Sequence, residues 1–228
     1  MPSRRRATAA VTDHRTRVGQ QRRERTRARI LAAALEVFAE RGTEAPVIDD
    51  FIRAAGIARG TFYTYFRTTA ELLVAASADL EDRLMVAIEA ALAGRTDPVE
   101  RLATGTRLWL RRARDDRVLC GFVIRSQLRG RLVEETLVKD LRAGHRRGAF
   151  RIGTVAVARD LVVGTIREAM ARMLAGPVPR AYPDQVAAAI LQGLGTGGRD
   201  IRRLLAMPVP VLTGEGSAAT AKGPSSPA

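Results

Sequence analysis

Apolar residues recur along most of this chain at helical spacing, and no convincing alternation of period two appears between turn residues. Ile30, Ala34 and Phe38, with Leu31 and Leu35 beside them, share one face, while Arg27, Arg29, Glu36 and Glu40 take the other. That pattern predicts a helix over 22–41, ended by Gly42 where a C-terminal glycine belongs. A short helix is expected over 46–55, with Pro46 in its first turn and Asp49 and Asp50 near the positive end of its dipole. Gly56 stops it. After Gly56-Ile57-Ala58 a third short helix runs to Phe66, with Phe62 and Phe66 on its inner face. Two short helices joined by a tight glycine turn make a helix-turn-helix arrangement.

The rest of the chain reads as longer helices. Leu72, Ala76, Leu80, Leu84, Ile88 and Leu92 repeat every four residues, which predicts a helix over 69–93 closed by Gly94. Asp97-Pro98 opens the next, with Val99, Leu102, Ala103, Thr106, Trp109, Leu110 and Ala113 along one stripe. Further helices are expected over 117–128, 132–146, from Thr154 to Leu174, from Pro183 to Leu194, and over 199–207. The expected class is all-α, with no strands.

Composition narrows the partners. The chain has 228 residues, with 38 basic side chains against 24 acidic ones, for a formal net charge of +14. Such a field favours polyanions, above all nucleic acid. The charge is concentrated at the start: residues 1–29 hold ten arginines and only two acids, Asp13 and Glu24. Residues 1–21 show no apolar periodicity and read as a disordered basic arm, either solubilising or lying along DNA. The tail over 208–228, rich in Pro, Gly, Ser, Ala and Thr, also reads as disordered. Cys120 is the only cysteine, which excludes an intrachain disulfide and a thiolate cluster. No apolar run reaches the ~18 residues that span a bilayer, so no membrane partner is expected and the chain reads as cytoplasmic.

The run G-I-A-R-G-T-F-Y-T-Y-F, from Gly56 to Phe66, resembles the recognition segment of the TetR/AcrR family of transcriptional regulators. The helix I-L-A-A-A-L-E-V-F-A-E-R-G before it resembles that family's first helix, and the spacing from Gly42 to Gly56 fits. The resemblance is close over 22–75 and beyond that is one of helix number, length and order. It implies a DNA-binding head over 22–68 and a helical ligand-binding and dimerisation domain over 69–207. It further implies a homodimer on double-stranded DNA, formed through the helices from Thr154 to Leu174 and from Pro183 to Leu194. Regulation would be repression relieved by a small-molecule effector.

In that arrangement Arg59, Gly60, Thr61 and Tyr63 open the recognition helix and meet base edges, the place where such helices read the major groove. Arg59 suits a bidentate contact to guanine. Thr64, Tyr65 and Arg67, with the amide at Val47, are placed for phosphates, which position the helix without reading sequence. Three departures from the family pattern weaken the backbone contacts. Ala58 stands where a capping serine is usual, Pro46 and Val47 stand where threonines often open the second helix, and Thr69 replaces a lysine.

The larger domain is less informative. Met85, Ile88, Trp109 and Phe122 are candidates to line an effector cavity, with Arg125 and Gln127 as polar anchors. Ala158, Gly164, Thr165, Ala169, Ala187 to Ala189 and Gly193 are small enough for close helix approach in a dimer. No catalytic constellation, cofactor or metal site is expected: His14 and His145 lie among arginines, and the glycines over 193–198 follow a helix rather than a strand. The alternative is a constitutive or architectural DNA-binding protein without an inducer, whose larger domain would enclose no cavity.

Overall fold

The computed structural model describes residues 3–125 and 130–212, with side chains described from residue 17 onward. Every regular element among them is helical: α1 Ser3–Arg41, α2 Ile48–Ala55, α3 Arg59–Tyr65, α4 Thr69–Ala91, α5 Pro98–Asp115, α6 Arg117–Arg125, α7 Arg131–Arg146, α8 Val155–Ala175, α9 Tyr182–Gly193 and α10 Gly198–Ala206. The chain divides into two compact units, Met1–Ala76 and Ser77–Ala228. The division falls inside α4 rather than near residue 68, since Leu72 and Ala76 are fully buried yet take no part in the larger unit's core.

In the first unit the four-residue spacing of the first helix does what it predicts. Ile30, Leu31, Ala34 and Phe38 are buried, and the Phe38 ring meets Phe51 of α2 at 4.9 Å between centroids. Gly56 ends α2 in the left-handed region at φ 59 and ψ 45, a conformation that costs a side-chain-bearing residue free energy. Ala58 then starts α3 with no side-chain cap. Phe62 and Phe66, both buried, fix the helix to the head. The Arg27 guanidinium lies 5.9 Å from the centre of the Phe66 ring, within cation–π range.

The expected unstructured arm over 1–21 is corrected: α1 continues back to Ser3. The sequence there shows no apolar periodicity, but arginine, alanine and glutamine, which make up about half of the segment, are strong helix formers and it holds no proline.

In the second unit α5 is central, packing against α6, α7, α8, α9 and α10. Asp97 caps it by accepting from the Val99 amide at 3.1 Å, with Pro98 in its first turn. Leu110 is fully buried, which contributes about 1.5–3 kcal/mol. Trp109 Nε1 donates to the Met170 sulfur at 3.4 Å, tying α5 to α8. Gly144 of α7 is required by a close approach, because a Cβ there would lie 2.2 Å from the Phe150 ring. Thr154, expected inside its helix, caps α8 instead, its Oγ1 accepting from the Val157 amide at 3.2 Å.

The tail is a second correction. Val209 and Leu212 pack against the core, so the chain is ordered past the expected boundary at 208. The remainder of the tail, 213–228, lies outside the described residues, as do residues 126–129.

Candidate nucleic-acid interface and effector cavity

The head sorts α3 into two faces. Phe62 and Phe66 are buried, while Arg59, Gly60, Tyr63, Thr64 and Arg67 are exposed and Thr61 and Tyr65 are half-buried. The residues expected at base edges therefore share the N-terminal, outward part of one short helix. Arg59 Nη1 stands 3.0 Å from Asp49 Oδ1 of α2. Tyr63, by hydrogen bonding, and then Asp49 push the Arg59 pKa up still further, so its charge is permanent. A guanidinium held this way presents its fork in a set orientation, which bidentate pairing with guanine requires. The sequence marks Asp49 only as a helix-dipole residue; its role beside Arg59 needs the turn geometry.

Gly60 has no packing reason to be glycine. A Cβ built there meets nothing within 4 Å, so the free protein gains only the backbone entropy cost of glycine in a helix. The space beside Gly60 is open.

Two phosphate candidates look different in the structure. The Val47 amide is already engaged by Asp50 Oδ2 at 3.0 Å, and Arg41 holds the other Asp50 oxygen at 2.7 Å. This corrects Val47 as an amide contact; Ile48 and Asp49, in the first turn of α2, are the amides outside the helix ladder. Thr64 Oγ1 donates to the Gly60 carbonyl at 3.0 Å, so a phosphate would have to compete for that proton. The Arg67 side chain is exposed, and its amide donates to Glu71 Oε2 at 2.8 Å while Thr68 Oγ1 accepts from the Glu71 amide at 3.1 Å. Thr68 thus caps the start of α4, while Glu71 reaches back past it to the Arg67 amide, a variant of the capping box. The pattern T-x-x-E over 68–71 is the sequence signal for it, and periodicity alone passes over it.

The second unit contains a partly open cavity of about 100 Å³. Met85, Ile88 and Trp109 line it as expected, with Leu92, Leu102 and Val162 completing the apolar wall. Phe122 and Arg125 are corrected: Phe122 is buried elsewhere in the packing, and Arg125 is exposed. Gln127 lies outside the described residues. The polar wall is made by groups that sequence reasoning missed, chiefly Glu89, Arg101, Thr136 and Asp140. Arg101 Nε donates to both Asp140 oxygens at 3.0 and 3.1 Å, and its Nη2 donates to Glu89 at 2.6 Å. This triad joins α4, α5 and α7. Burial raises the Asp140 pKa, and Arg101 only partly offsets it. The available signal was a charge on a core-facing position, such as Glu89 next to Ile88 in the α4 stripe.

The outer faces of α8 and α9 are also sorted. Ala158, Ala169 and Ala187 turn into the protomer and are buried, so they do not serve close approach between copies. Val157, Leu161 and Gly164 of α8 and Ala189 and Gly193 of α9 are exposed. Among the described residues no helix is long and apolar enough to cross a membrane.

Comparison with known proteins is consistent with these geometries. Residues 30–76 match the family described as bacterial regulatory proteins, tetR family. The chain is 36% identical over 95 residues to the uncharacterized HTH-type transcriptional regulator YvdT of Bacillus subtilis, covering 40% of this chain and 49% of that protein. It is 41% identical over 61 residues to the HTH-type transcriptional regulator SrpR of Pseudomonas putida, covering 27% of this chain and 29% of that one. The matches thus span about half or less of these curated relatives. Across a solved structure the likeness is longer: RolR in complex with the ligand resorcinol superposes with a TM-score of 0.70 and 28% identity, over 85% of this chain and 100% of that one.

Proposed function

We propose that this chain, which belongs to the tetR family of bacterial regulatory proteins, is a homodimeric DNA-binding repressor that a small molecule releases from a palindromic operator. The observation that carries the reading is the sorting of α3, with Phe62 and Phe66 pinned inward and Arg59, Gly60, Tyr63 and Arg67 presented outward. Arg59, Gly60, Thr61 and Tyr63 read base edges. Tyr65, Arg67 and, after its hydroxyl turns, Thr64 contact phosphates together with the first-turn amides of α2.

One short recognition helix offers few base contacts, so specificity requires two copies. The exposed stripe Val157, Leu161 and Gly164 on α8, beside Ala189 and Gly193 on α9, supports pairing of these helices with their symmetry mates. The cavity in the second unit supports effector control, as does the resorcinol carried by RolR. Sedimentation and titration with symmetric and half-site duplexes test the assembly. A dimer that needs both half-sites is expected; a stable monomer binding one half-site with full affinity would overturn it.

A second reading, a constitutive DNA-binding protein, draws on the size of the cavity: about 100 Å³ is below the roughly 300–1,000 Å³ of drug-sized ligand pockets. Under that reading no small molecule changes operator affinity.

A further inference from the structure

The first turn of α2 carries two adjacent acids, and the head uses them differently. Asp50, with its side chain 11% exposed, accepts from the Val47 amide at 3.0 Å and from Arg41 at 2.7 Å, which ties α2 to α1. Asp49 is 56% exposed and, among the described residues, holds only Arg59, itself 62% exposed. An ion pair so open to water contributes little to folding. Stability therefore does not explain why an acid stands on the outward side of the head beside the first residue of α3.

The surrounding charge runs the same way. Residues 30–76 hold four arginines against six acids, in a chain whose net charge is +14. Their balance opposes the sequence-independent attraction to phosphates that the rest of the chain favours.

Asp49 takes one nitrogen of Arg59 only. Nη1 donates to Oδ1 at 3.0 Å and to Oδ2 at 3.4 Å. Asp49 thus leaves the Nε–Nη2 edge of the fork to span guanine O6 and N7. Tyr63, one turn along α3, attracts the same guanidinium. On a guanine, Arg59 keeps Asp49 and gains the base. On any other base the carboxylate restrains Arg59 from swinging to a phosphate, and its own charge faces the backbone of the duplex. Discrimination needs such a repulsive element as well as an attractive one.

Resting on the reading of α3 as the element that selects the operator, we infer that Asp49 is a specificity-determining positioning residue, which holds Arg59 on guanine and disfavours duplexes that lack it there.

The test uses the full-length protein and two duplexes. One is the sequence that the wild type enriches by in vitro selection, and the other has the selected guanine of each half-site, with its complement, changed to an adenine pair. Fluorescence anisotropy over a range of salt gives both affinities. A bidentate arginine–guanine pair discriminates by roughly 5- to 150-fold. Asp49→Asn should forfeit part of that, lowering the preference at least about threefold, chiefly through tighter binding of the adenine duplex. On that duplex the slope of log affinity against log salt should steepen by about 0.9 for each Arg59 that now reaches a phosphate. Asp49→Ala carries the same expectation and serves if Asp49→Asn does not fold, whereas Asp49→Glu keeps the charge and should retain most of the preference. With Arg59→Ala already in place, Asp49→Asn should leave the remaining base preference unaltered, because the pair is gone.

An unchanged preference in Asp49→Asn would overturn the inference. So would affinities for the two duplexes that move by one common factor, the outcome for a residue that serves only the helix dipole. Asp49→Glu as permissive as Asp49→Asn would refute the part assigned to the charge. Failure of the wild type to enrich a duplex, or of Arg59→Ala to lose the guanine preference, would instead refute the reading of α3 itself, so the two failures are separable.

Discussion

Replacing Arg107 by methionine should remove one of the strongest single ties in the second unit while leaving the apolar stem of the side chain in place. The Arg107 side chain is only 4% exposed. Its Nε donates to Asp184 Oδ1 of α9 at 2.9 Å. Its Nη1 reaches the Leu204 and Met207 carbonyls at 3.3 and 3.0 Å, and Nη2 the Leu205 carbonyl at 3.0 Å. These carbonyls belong to the end of α10, where the last turn has no intrahelical donors and the dipole favours a cation. Hydrogen bonds to a charged group contribute about 1.5–3 kcal/mol each, but their sum overstates the loss. Asp184 keeps Arg111 at 3.2 Å and is itself 30% exposed. The expected cost is therefore about 3–4 kcal/mol, the lower part of the range for breaking a buried pair. For a chain of this size that corresponds to a Tm fall of roughly 6–16 °C.

Urea unfolding followed by circular dichroism, at one fixed protein concentration, measures it. The gap should also depend on pH. Burial pushes the Asp184 pKa up, but hydrogen bonds and charge from Arg107 and Arg111 outweigh it, so the net shift is downward. The pair's contribution is thus full above the ordinary carboxylate pKa of about 3.9 and is lost as pH falls through the lower folded value. The gap between wild type and Arg107→Met should narrow there without closing, because the carbonyl bonds do not titrate. A cost below about 1 kcal/mol at neutral pH, the range of an exposed ion pair, would refute the assignment.

Gly60→Ala should stabilise the free protein by about 0.5–1 kcal/mol, since the new methyl meets nothing, yet weaken binding to operator DNA. Melting curves beside anisotropy titrations detect the opposed signs, and unchanged DNA affinity would remove Gly60 from the base contacts. Tyr65→Phe should weaken binding to all sequences alike, without altering base preference, if its hydroxyl contacts phosphate. Deleting residues 1–20 removes Arg4, Arg5, Arg6, Arg15 and Arg17. The slope of log affinity against log salt should then become shallower by about 0.9 for each phosphate that these arginines neutralise, whereas an unchanged slope would mark the segment as merely solubilising.

Helix number, order and most helix ends followed from periodicity, because burial of one face imposes a 3.6-residue repeat on sequence whatever the partner. Ile30, Ala34 and Phe38 face inward for that reason, and Gly42 and Gly56 stop helices because they supply positive φ. The same signal fails over 3–21, where the sequence has no apolar periodicity yet α1 continues. At the site the residue types of α3 were readable, but their hydrogen bonds were not. Asp50 on the Val47 amide and Asp49 on Arg59 depend on how two helices meet across a turn. The cavity of the second unit was the least readable part. Phe122 and Trp109 are both buried aromatics by pattern, and only packing decides that Trp109 borders the cavity and Phe122 does not. Arg101, Asp140 and Glu89 sit on three different helices, Glu89 12 and Asp140 39 residues from Arg101, so no local motif announces them.

In vitro selection of duplex DNA by the wild-type protein and by Arg59→Ala tests the central claim most directly. The wild type should enrich a two-fold symmetric sequence with half-site centres about 34–36 Å apart or slightly more. Arg59→Ala should enrich the same symmetric frame without the preference for one guanine in each half-site, a change of roughly 1–3 kcal/mol per position. Failure of the wild type to enrich any symmetric sequence, or an unaltered base preference in Arg59→Ala, would contradict the reading of α3 as the element that selects the operator.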